Sequence, residues 1–402
     1  MYKDGTRGAF PWSRCHLKGE RMIPVIDMHC DTISAILSRR RSAPPAGKAT
    51  VSAPPAGKTT VSAPPAGKAT SSTPPVSQGT VGQGAASAQR ACLRENDLHV
   101  DLLRMKAAGY MCQSFALFTY LPELQATGED PFEHAMALSD LLDSELAINA
   151  DLIRPALTAE DIRKNFREGY MSSLKTIEEG AVYRGDLENI RCFYDLGVRK
   201  STLTWNFENE LAYPNLVVTD PETGMKRMIP ETIRGLKNTG REAVKLMEEM
   251  GMLIDVSHLG DAGILEILDL VDPHTPVIAS HSNARAVTDF PRNLTDEMLR
   301  GIAEHGGVTG INFCAAFLTD DGKGLSRIDD MIAHIRHIQN TAGIDAIGLG
   351  SDLDGIGDTL ELNGAGEMQK LADALSLAGF TAGEIEKIFW RNVMRVYEEV
   401  LR

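Results

Sequence analysis

The sequence predicts an α/β fold, a (β/α)8 TIM barrel, with a disordered insert rich in proline, alanine and lysine between its first and second strands. Three observations favour this fold: short apolar runs alternate with helical patterns, there are eight such runs, and chemically active residues follow several of them. The 402 residues suffice for a barrel, which takes about 250 residues before insertions. No Gly-x-Gly-x-x-Gly follows any run, so an open doubly wound sheet is the less favoured alternative.

The eight apolar runs are the predicted strands, and their almost continuous apolar character is typical of a parallel sheet covered on both faces. Longer stretches with helical periodicity lie between them. The strands are predicted at 22–27, 111–118, 174–177, 201–204, 252–256, 276–279, 307–313 and 346–349. The helices are predicted at 131–149, 186–196, 233–250, 262–270, 295–304 and 328–341.

The segment 42–91 differs from the rest of the chain. A decapeptide with paired prolines begins at Ser42, repeats twice and then decays, and the segment contains no acidic and no aromatic residue. Such a composition offers too little apolar surface to offset the entropy of ordering, so we expect a disordered, passive insert rather than a tether or a partner-binding arm. The chain then divides into an N-terminal segment with the first strand at 1–41, the insert at 42–91, and the remainder of the barrel at 92–402.

Composition and charge exclude several classes of partner. The net charge of −14 would repel phosphate backbones, so we expect no nucleic-acid partner. No stretch approaches the roughly 20 apolar residues that span a bilayer, and neither a signal nor an anchor is apparent, so we expect no membrane partner. The six scattered cysteines form no Cys-x-x-Cys, which indicates thiols in a reducing compartment and predicts a cytoplasmic protein. A homodimer is among the assemblies that stay open.

Side chains able to bind metal follow five of the predicted strands, where the catalytic residues of a barrel lie. Imidazole and carboxylate suit borderline metals such as zinc. Glu178, placed between the other pairs, can bridge two ions roughly 3.5–4 Å apart. Three imidazoles and three carboxylates are therefore predicted to converge on one mouth of the barrel: His29, Asp31, Glu178, His258, His281 and Asp352.

Other histidines are interpreted as structural. His99 and Asp101 repeat the His-x-Asp pattern, but they precede a helical pattern instead of following a strand. His334 and His337 lie three residues apart on one predicted helix face, for which a solvated surface is the favoured interpretation.

Six motifs in order resemble the membrane dipeptidase (renal dipeptidase) family in its bacterial type. The resemblance spans about residues 24–396 outside the insert, and further segments agree with it. The motifs are IDMHCDT at 26–32, TIE at 176–178, DVSH at 255–258, SHSNA at 280–284, RN at 292–293 and GSDLDG at 350–355.

This resemblance implies a barrel of the metal-dependent amidohydrolase superfamily that holds two zinc ions. It implies a dipeptidase, a metallopeptidase that hydrolyses the peptide bond of a small dipeptide with a bridging hydroxide. His29 and Asp31 would bind one ion, His258 and His281 would bind the other, and Glu178 would bind both.

The resemblance also implies roles in substrate binding and proton transfer. Arg292 would hold the terminal carboxylate of the substrate, for which a planar guanidinium is the natural bidentate partner. Asp352 would take a proton from water and return it to the departing amine. The predicted catalytic residues are Asp352 and Glu178, and the predicted substrate-binding residues are Arg292, Asn293, Trp205 and Asn206.

Two residues of the site depart from the family pattern. Trp205 stands where a histidine often follows the fourth strand, and an indole donates one N–H without carrying charge. Stabilisation of the oxyanion would then rest more on the metals, on Asn206 or on another group. Glu179 stands where glycine is common, which leaves Glu179 as a less favoured alternative to Glu178 for bridging.

Two further functions stay open at this point. The same two-metal hydrolase would also suit N-acyl amino acids, lactams or lactones, because Arg292 favours any substrate that bears a carboxylate. A binding protein that has lost catalysis is the other alternative, motivated by Trp205 and the insert. The five intact metal ligands and Asp352 oppose it.

Overall fold

The computed structural model describes residues 22–42, 92–224 and 226–402. The predicted disorder of the insert therefore falls outside the described residues, except for Ser42, which ends a helix. Among the helices of those three ranges, none combines the length and the apolar character that crossing a bilayer requires.

Eight parallel strands close into a barrel, which confirms the predicted fold class. Each strand pairs with its neighbours in the ring, and the last pairs with the first. In ring order the strands are β1 (Val25–Cys30), β2 (Tyr110–Phe118), β4 (Met171–Glu178), β5 (Val198–Thr202), β8 (Leu253–Asp255), β9 (Val277–Ala279), β10 (Val308–Ile311) and β12 (Ile347–Leu349). A ninth strand, β3 (Ile153–Pro155), pairs with the start of β4 outside the ring.

All eight predicted strands are present, but the first was predicted to end too early. β1 continues to Cys30, which pairs with Phe115 of β2 across an irregular register. His29 therefore lies on the strand and not in the loop after it. The extension follows from burial, because Met28 and Cys30 are fully buried and belong to the sheet.

Helices cover the outside of the barrel. Their N-termini are often capped by a side-chain oxygen, as at Asp101, Asp130 and Thr158, which satisfies backbone N–H groups that lack a partner within the helix. The helices span Thr32–Ser42, Leu102–Ala107, Leu121–Thr127, Pro131–Ile148, Ala159–Arg167, Leu187–Asp195, Asn238–Met250, Asp261–Leu270, Asp296–Glu304, Ala315–Leu318, Ile328–Ala342, Met368–Leu377, Ala382–Glu386 and Asn392–Val400.

One predicted helix is too long at its start, since 233–250 was predicted and the helix begins at Asn238. The carboxylate of Glu231 accepts the backbone N–H groups of Ile233 and Arg234, and this turn replaces the first helical residues. Two short strand pairs were not predicted at all. They are the antiparallel hairpin β6 (Leu216–Thr219) and β7 (Lys226–Ile229), and the parallel pair β11 (Leu325–Ser326) and β13 (Thr359–Leu360).

The predicted solvated face of the helix Ile328–Ala342 is wrong for His334. This side chain is fully buried, its Nδ1 accepts the N–H of Ala284, and its Nε2 lies 3.1 Å from the carbonyl oxygen of Leu318. Burial lowers the pKa of His334 to about 4, so the ring is neutral and can serve as donor and acceptor at once. His337 is half-buried, with its Nε2 2.7 Å from Asp296.

Both sides of the insert are fastened to one carboxylate. Glu145, on the helix Pro131–Ile148, is almost fully buried. Its Oε1 contacts the guanidinium of Arg40, just before the insert, and its Oε2 accepts the N–H of Leu93, just after it, at 2.7 Å. The chain therefore leaves the barrel and returns to it at nearly the same place.

Candidate metal centre

The carboxylate of Glu178 lies between histidines from three other strands. Its Oε2 is 3.2 Å from Nε2 of His29, and its Oε1 is 3.0 Å from Nε2 of His258 and 3.5 Å from Nε2 of His281. The Nε2 atoms of His258 and His281 are themselves 2.9 Å apart. One carboxylate thus faces an imidazole on one side and a pair of imidazoles on the other.

Two more carboxylates approach the site on the side of His29. Oδ2 of Asp31 is 3.4 Å from Nε2 of His29, and Oδ1 of Asp352 is 3.9 Å from the same atom. The other oxygen of Asp352 accepts a hydrogen bond of 2.9 Å from the side-chain amide of Asn312. The six residues predicted to converge therefore do so, and all of them come from the carboxyl ends of barrel strands.

The electrostatics of the cluster favour a positive charge among its carboxylates. Burial raises the pKa of Asp31 well above its ordinary range, and Glu178 adds to that effect. Burial also opposes a charge on Glu178, but His29 and the two other histidines bring the pKa of this carboxyl well below its ordinary value. Burial lowers the pKa of His258 to about 4, so its ring is neutral with a lone pair available. Burial opposes a charge on His29, but Glu178 and Asp31 raise the pKa of this imidazole well above its ordinary value, so the carboxylates of the cluster favour a positive charge beside them.

The residues present fit a metal centre. His29 Nδ1, His29 Nε2 and Asp31 Oδ1 are buried and have no hydrogen-bond partner among the described residues. Two groups of three side chains can each offer ligand atoms within 4.8 Å of one another: His29, Glu178 and His281, and His29, Asp31 and Asp352. Imidazole nitrogen together with carboxylate oxygen is a donor set that zinc accepts.

Several residues of the site have a backbone conformation that non-glycine residues rarely adopt. The φ angle is 71° at His258, 61° at Asp352 and 96° at Glu179. Such conformations cost of order 1–3 kcal/mol each and persist where the surroundings determine them. Here they turn the chain at the ends of strands, so that His258 and Asp352 point into the barrel mouth while Glu179 points away from the imidazoles.

A buried ion pair inside the barrel forms hydrogen bonds with the backbone beside the predicted histidine ligands. Nζ of Lys200 lies 3.4 Å from Oδ2 of Asp255 and donates a hydrogen bond of 2.6 Å to the carbonyl oxygen of Met28, the residue before His29. Oδ1 of Asp255 accepts the N–H groups of Ser257 and Ser280, which precede His258 and His281, at 3.0 and 2.9 Å. This pair therefore connects the backbone next to three of the predicted ligands.

Sequence reasoning missed the supporting carboxylates and the lysine. Asp27 accepts the N–H of His29 at 3.2 Å and the N–H of Ser351 at 2.9 Å, so it connects the first and last barrel strands. A signal was present for both aspartates, because each stands two or three residues before a predicted histidine ligand. Lys200 carried no such signal.

A cavity of about 790 Å³ opens above the centre. Arg292 lines it and is buried, with Nη1 3.3 Å from Oγ of Ser282 and with Nε lacking a hydrogen-bond partner. Its guanidinium also lies 5.4 Å from the ring of Phe317. Within the described residues Arg292 forms no ion pair, so its charge faces the cavity and is available to an anion.

The other predicted substrate-binding residues have different surroundings. Trp205 and Asn206 line the cavity, and Oδ1 of Asn206 is 2.9 Å from Nδ1 of His258. Asn293 is fully buried and does not line the cavity. Its amide donates to the carbonyl oxygens of Thr288 and Phe317, so the structure places it behind the loop that carries Arg292.

Glu179 faces away from the imidazoles. Its Oε1 accepts the N–H of Ala181 at 2.9 Å, and its Oε2 accepts the N–H of Trp205 at 3.0 Å. Burial raises the pKa of Glu179 to about 7. The structure therefore brings Glu178, and not its neighbour, among the histidines.

The chain is similar to curated proteins in sequence and to a solved structure in fold. The chain is 32% identical over 273 residues, 67% of this chain and 97% of the relative, to the "Uncharacterized protein in pqqA 5'region" of Klebsiella pneumoniae. It is 29% identical over 309 residues, 75% of this chain and 69% of the relative, to "Dipeptidase tcpJ" of Claviceps purpurea. A metallo peptidase from Rhodobacter sphaeroides, solved with a phosphinate mimic of the dipeptide L-Ala-D-Ala, superposes with a TM-score of 0.73 over 94% of this chain and all of that one. Its 22% identity shows the shared fold.

The comparison with protein families covers more of the chain. The family described as "Membrane dipeptidase (Peptidase family M19)" matches residues 20–402, which include every strand of the barrel and every residue of the centre. The chain therefore belongs to the membrane dipeptidase family, peptidase family M19, and is by that membership a metal-dependent dipeptidase.

Proposed function

We propose that the protein hydrolyses the peptide bond of dipeptides at a centre of two metal ions, with zinc as the metal. The observation that carries the proposal is the position of Glu178, whose two oxygens face His29 on one side and His258 with His281 on the other. A single carboxylate with ligands on both sides is the arrangement expected of a bridging group. Asp31 completes the first of the two ligand sets.

The metals and the protein have separate tasks in this mechanism. Two ions held by His29, Asp31, Glu178, His258 and His281 would supply an acidified water as the nucleophile and would polarise the scissile carbonyl. Asp352 takes the proton of the attacking water and returns it to the departing amine. Burial raises the pKa of Asp352, which suits a carboxylate that must accept a proton near neutral pH, and Asn312 fixes its orientation.

Arg292 selects the substrate. Its buried guanidinium faces the cavity without a carboxylate partner among the described residues, so it can bind the terminal carboxylate of a dipeptide. Asn206 holds His258 through its Nδ1, which keeps Nε2 of that ring directed at Glu178. Asn293 does not contact the substrate but holds the loop that carries Arg292 in place through its hydrogen bonds to the backbone.

We also propose that the enzyme works in a reducing compartment, the cytoplasm. Four cysteines of the described residues are free thiols: Cys30, Cys112, Cys192 and Cys314. Proteins of oxidising compartments usually pair such residues in disulfides.

The test is hydrolysis of a dipeptide panel by chelated protein before and after zinc is added, with bound metal counted in parallel. We expect cleavage to return with about two ions per chain. N-acetylated amino acids serve as the matched substrates, because they keep the carboxylate and lose the free amine. Two ions without dipeptide cleavage would move the proposal to acylated, lactam or lactone substrates, and absence of both metal and activity would support a binding protein.

A further inference from the structure

Aromatic side chains form one wall of the cavity. The ring of Trp205 lies 5.3 Å from that of Phe118, 5.6 Å from Tyr120 and 5.6 Å from Phe207, measured between centroids. Phe118, Tyr120 and Trp205 line the cavity, and Phe207 packs behind them. We call these four residues the aromatic wall.

The aromatic wall reaches the metal centre. The ring of Trp205 lies 5.7 Å from the ring of His258, and the two planes are tilted by only 33°. A group bound over the centre next to His258 therefore touches the indole. Trp205 is half-buried and Tyr120 is 41% exposed, so the wall continues from the centre to the rim of the cavity.

The aromatic wall runs from Trp205, in the loop after β5, to Phe118, which lies across the barrel mouth from Arg292. Phe118 ends β2, whereas Arg292 is in the loop after β9, with Nη2 3.5 Å from the carbonyl oxygen of His281. In the ring of eight, β2 and β9 are separated by three strands in either direction. Trp205 follows β5, which β8 alone separates from β9, so the wall begins beside His258 and extends away from Arg292.

This arrangement fixes the direction of a bound dipeptide. A substrate with its carboxylate on Arg292 and its scissile carbonyl above Glu178 extends its first residue away from Arg292. We infer that the aromatic wall is the binding site for the side chain of the N-terminal residue, and that the enzyme prefers dipeptides with a bulky apolar first residue. The inference rests on the proposed dipeptidase function and deepens it.

Glu179 positions the aromatic wall. Its Oε2 accepts the N–H of Trp205, and its Oε1 accepts the N–H of Ala181 and the side-chain amide of Asn209. Asn209 in turn donates to the carbonyl oxygen of Leu203. Trp205 lies in a loop outside any helix or strand, so these hydrogen bonds from the end of β4 hold its backbone in place.

The energetic reason for the preference is burial of apolar surface. Contact with aromatic rings removes an apolar side chain from water, whereas alanine leaves that space filled by solvent. We expect kcat/KM to be about 10–100-fold higher for Phe-Ala than for Ala-Ala, the discrimination that an apolar pocket can reach.

The test measures kcat/KM for two series of dipeptides, one with a variable first residue before alanine and one with a variable second residue after alanine. The wild type should prefer bulky residues in the first series. Trp205→Ala should lower the ratio of Phe-Ala to Ala-Ala about tenfold or more, and Trp205→Phe should keep most of it. The ratio does not depend on the folded fraction of a sample, because both substrates compete for the same active molecules.

Phe290→Ala is the matched control, because Phe290 lines the same cavity on the side of Arg292, with its ring 4.9 Å from that of Phe317. It should change the second series and leave the first-residue ratio as in the wild type. Glu179→Ala should lower the first-residue ratio, as Trp205→Ala does. Glu179→Gln should restore it only in part, because it keeps one acceptor oxygen and sets an NH2 group against the N–H donors on the other side.

The outcomes separate the two proposals. If no dipeptide is cleaved by metal-loaded protein, the proposed function fails. If dipeptides are cleaved but the first-residue ratio is near one, or is unchanged in both Trp205 variants, the aromatic wall does not bind the first side chain and the inference is overturned while the dipeptidase function stands.

Discussion

Replacing Lys200 with methionine tests whether the buried ion pair supports the metal centre. Lys200 and Asp255 are both within 1% of complete burial, and together they contact the backbone beside three histidines. Methionine keeps the apolar stem and removes the charge. The variant leaves the carboxylate of Asp255 buried without its cation and the carbonyl oxygen of Met28 without its donor.

The expected loss of stability follows from these contacts. Removing one partner of a buried ion pair costs about 3–5 kcal/mol, because the remaining charge is not compensated. For roughly 330 described residues the entropy of unfolding is about 0.7 kcal/mol per kelvin near 60 °C, so Tm should fall by about 4–7 °C. Zinc affinity should fall as well, since the backbone next to His29 loses a contact.

The assay is thermal and urea unfolding of metal-depleted protein, with metal affinity measured separately. Lys237→Met is the matched control, because Lys237 pairs with the half-exposed Glu208 and should lose less than about 1 kcal/mol. The double variant Lys200→Met with Asp255→Leu should regain most of the stability, since no buried charge remains. A loss in Lys200→Met no larger than in the control would refute the supporting role.

The loss of stability in Lys200→Met should depend on pH in a defined direction. Burial alone would raise the pKa of Asp255, but Lys200, His281 and the hydrogen bonds from Ser280 bring it below its ordinary value. The wild-type carboxylate therefore contributes stability above its unfolded pKa of about 3.9 and loses it as the pH falls. Without Lys200 the burial effect remains and the folded pKa rises, so the deficit of the variant should be largest at neutral pH and shrink on acidification.

Three further predictions concern the site and the insert. Asp352→Asn should bind metal as the wild type does while kcat falls about 10²–10⁴-fold, the contribution of general acid–base catalysis; unchanged turnover would remove Asp352 from the mechanism. Arg292→Met should raise KM for dipeptides and abolish the discrimination against dipeptide amides, which steady-state kinetics with both substrates will measure; retained discrimination would place the carboxylate elsewhere. Excision of residues 42–89 should leave Tm and kcat/KM nearly unchanged, and an unfolded product would make the segment structural.

The residues of the candidate metal centre could be predicted because each lies beside a strand that the sequence itself indicates. His29, Glu178 and His281 need only the rule that the carboxyl ends of parallel strands share one mouth. The aromatic wall could not be predicted in this way, because Phe118 and Trp205 follow strands that are not neighbours in the chain. Their contact depends on β4 lying between β2 and β5, and on the course of two loops.

The burial of individual polar side chains could not be predicted from the sequence either. Lys200 in a strand and His334 in an amphipathic helix have the residue types of solvated positions, and each is buried because a partner from a distant part of the chain satisfies it. Such partners can be identified only from the folded structure. Glu179 remained an alternative ligand on the sequence alone, because its hydrogen-bond partner Trp205 lies in the loop after the neighbouring strand β5.

The meeting of Arg40 and Leu93 at Glu145 has a consequence for how this gene can change. Because the two flanks are anchored to one carboxylate, the separation that any connecting segment must bridge is set by the barrel and not by the segment. Closing a loop costs only about 0.6 kcal/mol more for each doubling of its length. We therefore expect that gain or loss of one decapeptide copy is close to neutral for folding of the barrel.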